Sequence, residues 1–182
     1  MNERAVQWIG EKVWQYRVSF PARKASSSSA TTDLVFEGLN IFATVLLNGR
    51  KILKTDNMFV SYQVNIGEHI KPDGNNILEI IFDSALIRGR ELVKEHSHEH
   101  KFLVRQPEAG RVAVRKAQYN WGWDWGPMLM TAAPWKPVYL EQYTARLDDV
   151  WAERAQTWRR SPLQFTPMSW GTFILMTDSP SP

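Results

Sequence analysis

Ile41-Phe42-Ala43-Thr44-Val45-Leu46-Leu47-Asn48-Gly49-Arg50-Lys51-Ile52 is the stretch on which the reading of the fold turns. Its first seven residues are nearly all apolar, which predicts a strand covered on both sides. Asn48 and Gly49 both tolerate the positive φ of a type I′ turn, so the chain is predicted to fold back into a second strand from Arg50. Working outward, strand-period alternation recurs on either side. Val13 to Phe20 places Trp14, Tyr16, Val18 and Phe20 on one face of a half-buried strand. Ser26 to Ser29 then reads as an exposed loop before Leu34 to Phe36 resumes as a strand. Downstream, Val60, Tyr62, Val64 and Ile66 alternate, and Pro72-Asp73-Gly74-Asn75 forms a turn into a strand over Ile77 to Phe82. Ser84 to about Glu95 differs: it is rich in Ala, Leu, Arg, Glu and Lys, with Ser84 as N-cap, and predicts one short helix. Met128 to Thr131 and Val138 to Tyr143 are the last expected strands, separated by a loop carrying Pro134 and Pro137. Many short strands with a single helix predict an all-β fold, a jelly-roll β-sandwich.

Bulk properties bound what such a domain can do. At 182 residues the chain holds one well-buried domain. A (β/α)8 barrel needs about 250 residues, so any chemistry resting on one cannot be completed within this length. The net charge of +3 is spread along the chain, giving no nucleic-acid signal. No cysteine is present, which removes disulfides, thiol nucleophiles and thiolate metal sites together. No apolar leader follows Met1, no run of eighteen apolar residues occurs, and there is no Asn-X-Ser/Thr acceptor, so a cytoplasmic location away from membranes is expected.

Trp121-Gly122-Trp123-Asp124-Trp125-Gly126-Pro127 carries the chemistry. Were it extended, Trp121, Trp123 and Trp125 would share one face and Asp124 the other. Indole rings cover the apolar face of a pyranose, and a carboxylate accepts two hydroxyl hydrogen bonds, so a sugar site is one reading. A tryptophan-rich core strand, with Asp124 capping a turn, is the other.

Three further clusters are weaker. His96-Ser97-His98-Glu99-His100 offers imidazoles at alternate positions, but in a helix only His96 and His100 share a face, and a solvated helix end is favoured over a metal site. Glu91, Glu95 and Glu99, four apart, read as a solvated helix face beside Arg90 and Lys94. The serine run has no histidine and acid arranged around it. No metal and no cofactor are expected.

Four separated motifs then point to a family. Val6-Gln7-Trp8-Ile9-Gly10-Glu11 with Trp14-Gln15-Tyr16-Arg17 resembles the start of the N-terminal domain of β-mannosidases of glycoside hydrolase family 2. Phe36-Glu37-Gly38-Leu39 and Val45-Leu46-Leu47-Asn48-Gly49 resemble its strand and hairpin, and Arg115-Lys116-Ala117-Gln118-Tyr119-Asn120 running into Trp121–Pro127 is similar to its tryptophan-rich signature. The resemblance spans about residues 2 to 155. It implies a galactose-binding-like jelly roll over 1–145 that lacks its first strand and the start of a linker or second domain at 146–156; the stretch over 157–182 diverges from the family and, rich in proline and without a clear period, reads as a poorly ordered tail.

The resemblance also implies a function. Family members hydrolyse terminal, non-reducing β-D-mannose with retention, using two glutamates of a barrel domain about 5–5.5 Å apart. Those glutamates are expected to be missing here, as are the immunoglobulin-like and barrel domains that would be this domain's partners. No residue is therefore assigned to catalysis. Carried over by motif, Asp124 and Trp125 would contact the β-mannoside or a mannose-containing oligosaccharide, while Trp121, Trp123, Arg115 and Lys116 would support the loop. The alternatives are a stand-alone carbohydrate-binding module, and an interaction module that docks a separate catalytic subunit through its apolar patch.

Overall fold

The structure, a computed structural model, describes residues 3–22, 30–99, 108–123 and 126–147. Backbone contacts group the chain into two units, Met1–Thr144 and Ala145–Pro182. The serine run at 26–29, His100 and the 157–182 tail lie outside the described residues.

A 3-10 helix, Arg4–Glu11, leads into β1 (Trp14–Pro21). Then come β2 (Thr31–Phe36), the two-residue β3 (Leu39–Asn40), β4 (Ala43–Leu47), β5 (Arg50–Lys54), β6 (Tyr62–Asn65) and β7 (Asn75–Phe82). After α1 (Ala85–Glu95), the short β8 (Ala133–Pro134) and β9 (Val138–Tyr143) complete the described elements. All the paired strands are antiparallel, in sheets of order β1-β7-β4-β5 and β6-β2-β9, with β3 and β8 forming a small third pair. The first two sheets sandwich a core built from Leu34 and Phe36 on one side and Val45, Leu47, Leu78, Ile80 and Phe82 on the other. This is the all-β sandwich of jelly-roll type with one helix that the strand pattern predicts.

The hairpin is where the sequence places it. Asn48 and Gly49 take φ of 54° and 81°, both in the left-handed region that a type I′ turn requires. Asn48 does more than turn the chain. Its Nδ2 donates to His69 O at 2.8 Å and to Asn76 Oδ1 at 2.8 Å, while its Oδ1 accepts from Ile77 N at 3.0 Å. Asn76 occupies the first core-facing position of β7 after the turn and is fully buried. Its Oδ1 also accepts from Lys71 N at 2.7 Å, and its Nδ2 donates to Lys71 O and Gly74 O at 3.1 and 3.3 Å. Two asparagines thus take the backbone hydrogen bonds of two turns that no ladder could satisfy.

Ser84 caps α1 as expected, its Oγ accepting from Ile87 N at 3.0 Å and donating to Gly10 O at 2.6 Å. The acidic row reads as surface: Arg88 pairs with Glu91 at 2.7 Å, and Glu99 with His96 at 3.4 Å.

Three strand expectations need correction. β4 is buried on alternate residues only, with Thr44 and Leu46 half-covered, so its apolar run faces the core on one side and not on both. β1 forms, but it is the end strand of its sheet and most of its residues are exposed, Tyr16 and Val18 included. Beside it the sandwich opens as a groove of about 910 Å³ lined by Tyr16, Val18, Phe20, Leu34, Ile80 and Leu140. Met128 to Thr131 forms no strand. Side chains claim its carbonyls instead: Gln7 Nε2 donates to Met128 O at 2.8 Å and Lys116 Nζ to Thr131 O at 2.7 Å.

Candidate functional site

A second, smaller core sits at one end of the sandwich, where Ile41, Met58, Ala85, Leu86, Val114, Ala117, Trp121 and Met130 pack together. It anchors the tryptophan-rich segment. Met58 N donates to Arg115 O at 3.1 Å, and a 3-10 turn over Gln118–Trp121 carries the chain to the surface. Trp121 closes that turn and is 5% exposed. Gly122 then takes φ 74° with ψ 178°, a combination essentially confined to glycine. Trp123 emerges 61% exposed. The extended reading of the segment is thereby corrected: Trp121 goes into the core and Trp123 into solvent, because the 3-10 turn and Gly122 replace period-two geometry.

Trp123 N donates to Gly126 O at 2.9 Å and Gly126 N to Trp123 O at 3.2 Å. This closed pair holds both ends of the link formed by Asp124 and Trp125, two residues that lie outside the described set. The segment borders a groove of about 640 Å³ with walls of Tyr119, Trp123, Leu129 and Trp135. Tyr119 is 75% exposed, and the guanidinium of Arg111 stands 5.7 Å from the Trp123 ring centroid. Trp135 Nε1 donates to Met58 O at 3.0 Å, which fixes the indole at the groove, and the Lys136 ammonium stands 4.7 Å from its ring centroid.

The groove floor is polar, made by Asn40, Asn120 and Thr131. Behind it lies Lys116, only 1% exposed, whose Nζ donates to Asn40 Oδ1 at 2.5 Å and to Thr131 O at 2.7 Å. Burial pushes the Lys116 ammonium down from the ordinary lysine value to about 7. Arg115 differs from its neighbour. Its side chain is exposed and pairs with Asp56 at 3.2 Å, and its contribution to the segment runs through its backbone carbonyl. Of the supporting residues, Trp121 and Lys116 therefore sit beneath the segment, Trp123 stands beside the groove, and Arg115 lies at the surface. The sequence reading missed Asn40, Asn120, Thr131, Tyr119 and Trp135. Tyr119 and Asn120 stand inside the signature and could have been singled out there; nothing in sequence ties Asn40 or Trp135 to it. Among the described residues no cluster of His, Asp or Glu is arranged to hold a metal ion, and no helix is long and apolar enough to cross a membrane.

Gly122 is held by space as well as by backbone angle. A Cβ there would stand 2.8 Å from Met128 N and 3.0 Å from Gly126 O, both backbone atoms. Gly122→Ala is expected to cost about 2 kcal/mol, read as a lowered unfolding midpoint in urea. An unchanged midpoint would show that the turn relaxes freely.

The family model of the glycosyl hydrolase 2 galactose-binding domain-like family matches residues 1–136. Beta-mannosidase B of Thermothelomyces thermophilus is 49% identical over 152 residues, covering 84% of this chain and 17% of that protein. Beta-mannosidase B of Emericella nidulans is 47% identical over 153 residues, covering 84% and 18%. Among solved structures, the β-D-mannosidase of Dictyoglomus thermophilum matches with a TM-score of 0.70 at 37% identity, over 84% of this chain and 18% of that one. The chain thus spans less than a fifth of the length of these relatives.

Proposed function

Because the chain belongs to the glycosyl hydrolase 2 galactose-binding domain-like family, we propose that it serves as the N-terminal, sugar-binding-like domain of a retaining β-mannosidase. In this reading Asp124 and Trp125 hold the terminal, non-reducing β-D-mannose of a β-mannoside or mannose-containing oligosaccharide. Bond cleavage belongs to a carboxyl pair supplied by a barrel domain. The observation that carries the reading is the groove lined by Trp123 and Gly126, the residues that flank Asp124-Trp125 in sequence, with exposed aromatic rings on its walls and amides on its floor. Aromatic walls suit the C–H faces of a pyranose, and a carboxylate suits its hydroxyls.

The test joins the chain to the remaining domains of a relative such as Beta-mannosidase B of T. thermophilus. Asp124→Asn is expected to lower kcat/KM on an aryl β-mannoside about 10- to 100-fold, the worth of a hydrogen bond to a charged acceptor. Unchanged kcat/KM would remove Asp124 from the site.

A second reading rests on the same exposed rings. Phe59, Tyr119, Trp123, Leu129 and Trp135 lie open on the described surface, as they would if the domain docks a catalytic partner domain or subunit. Titrating methyl β-D-mannoside into the isolated chain separates the two. Binding supports a self-sufficient sugar site; its absence, with restored turnover on adding the other domains, supports docking.

A further inference from the structure

The buried lysine and the groove floor are parts of one hydrogen-bond chain with a fixed direction. As an ammonium, Lys116 Nζ has only hydrogens to give, so the atom it meets on Asn40 is the oxygen, and the Asn40 amide is thereby oriented. Asn40 Nδ2 in turn donates to Thr131 Oγ1 at 3.1 Å, the Thr131 hydroxyl donates to Asn120 Oδ1 at 3.0 Å, and Asn120 Nδ2 donates to Ala117 O at 3.2 Å. The roles of Asn40 and Thr131 follow in turn from Lys116, and Asn120 is held from two sides, by the Thr131 hydroxyl and by the Ala117 carbonyl. An ammonium has three hydrogens and a neutral amine two, so both acceptors of Nζ are served in either charge state.

We propose that Lys116 is a positioning residue for the groove: through Asn40 and Thr131 it fixes the Asn120 amide, so that the floor keeps its carbonyl oxygens engaged inward and leaves amide N–H groups to meet the hydroxyl oxygens of a sugar. The sugar is taken from the function proposed above, and the chain of bonds is independent of it. Both amide oxygens already accept a hydrogen bond from within the protein, whereas each amide nitrogen carries two hydrogens and donates one of them among the described residues. Such a floor suits ligands that bring acceptors and disfavours cationic ones. Lys116 itself, buried behind Asn40, touches no ligand.

The experiment uses the full chain, labelled with ¹⁵N, and follows the side-chain amide signals of Asn40 and Asn120 in the variants Lys116→Met, Thr131→Val and Thr131→Ser. Lys116→Met is expected to move the Asn120 signals as well as those of Asn40, although Lys116 and Asn120 share no direct bond. Thr131→Val should move Asn120 too, and Thr131→Ser, which keeps the hydroxyl, should restore it. Asn120 signals that stay in place in a cooperatively folded Lys116→Met protein would overturn the proposal. If that variant does not fold, Thr131→Val decides alone, since it leaves Lys116 and the Thr131 carbonyl in place; unmoved Asn120 signals then overturn it. Titration with methyl β-D-mannoside forms a separate arm. Lys116→Met should weaken binding about fivefold or more through loss of an oriented donor. A wild-type chain that binds no sugar counts against the sugar-site reading, while the amide signals still decide the relay.

Discussion

Raising the pH from about 6 to about 9 is expected to stabilise the protein by about 3 kcal/mol through Lys116 alone. Burial lowers this group to about 7 in the native state, whereas the unfolded chain titrates it at the ordinary lysine value of 10.5. Below the native value both states hold the proton, and folding bears the full cost of burying a charge. Between the two values the unfolded chain keeps a proton that the native state has released, so unfolding becomes harder by up to about 1.4 kcal/mol per pH unit. Above the unfolded value the gain levels off. Tyr62 acts in the opposite sense: burial raises its pKa above 10.0, so the native state keeps a proton there that the unfolded chain loses. Measurements should therefore stop near pH 9. The check is chemical denaturation of the wild type beside Lys116→Met at several pH values. Their difference in unfolding free energy should grow with pH across this window; a difference that stays constant would mean that the ammonium is as well accommodated as the amine.

Asn76→Leu is expected to cost about 4 kcal/mol, a large share of the stability of a domain this size. Leucine has a similar shape, so the loss is in polar groups. Removing the amide leaves Asn48 Nδ2 and Lys71 N without the acceptor they share, and Lys71 O and Gly74 O without their donor. The site is fully buried, so water cannot take over these bonds without displacing core. Asn48→Ala should overlap with this effect, because Asn48 braces the same turns through His69 O and Ile77 N. A double-mutant cycle in urea would show the two losses to be strongly non-additive. A cost under about 1 kcal/mol would mean that the turns reorganise without the amide.

Much of the sandwich was legible because its strands obey simple periodicity. β6 was placed from alternation, β7 from the turn that leads into it, the β4–β5 hairpin from Asn48-Gly49, and α1 from Ser84 as its cap. The failures have a common cause. Alternation reports that a strand has an apolar side, and it is silent on whether anything lies over that side, which is why β1 came out exposed. Hydrophobicity at Met128 to Thr131 likewise said nothing about where its carbonyls would find donors, which are the side chains of Gln7 and Lys116. The 3-10 turns before Trp121 are too short to leave a period. At the candidate site, the tryptophan-rich signature was conspicuous by composition. Its foundation was not, since Lys116 meets an asparagine 76 positions away in sequence. Such a pairing depends on the β3 backbone arriving behind the loop, which only the assembled fold reveals.

The opening beside β1 bears on how any of these stabilities is to be measured. Fluorescent dyes that light up on apolar surface are commonly taken as reporters of unfolding, on the premise that a native protein offers them nothing to bind. Here the folded sandwich already presents a groove of about 910 Å³ lined by Tyr16, Val18, Phe20, Leu34, Ile80 and Leu140. A dye would enter it at room temperature, give a bright starting signal, and by mass action stabilise the state it is meant to report on. Circular dichroism, which leaves the groove empty, is the probe suited to this protein.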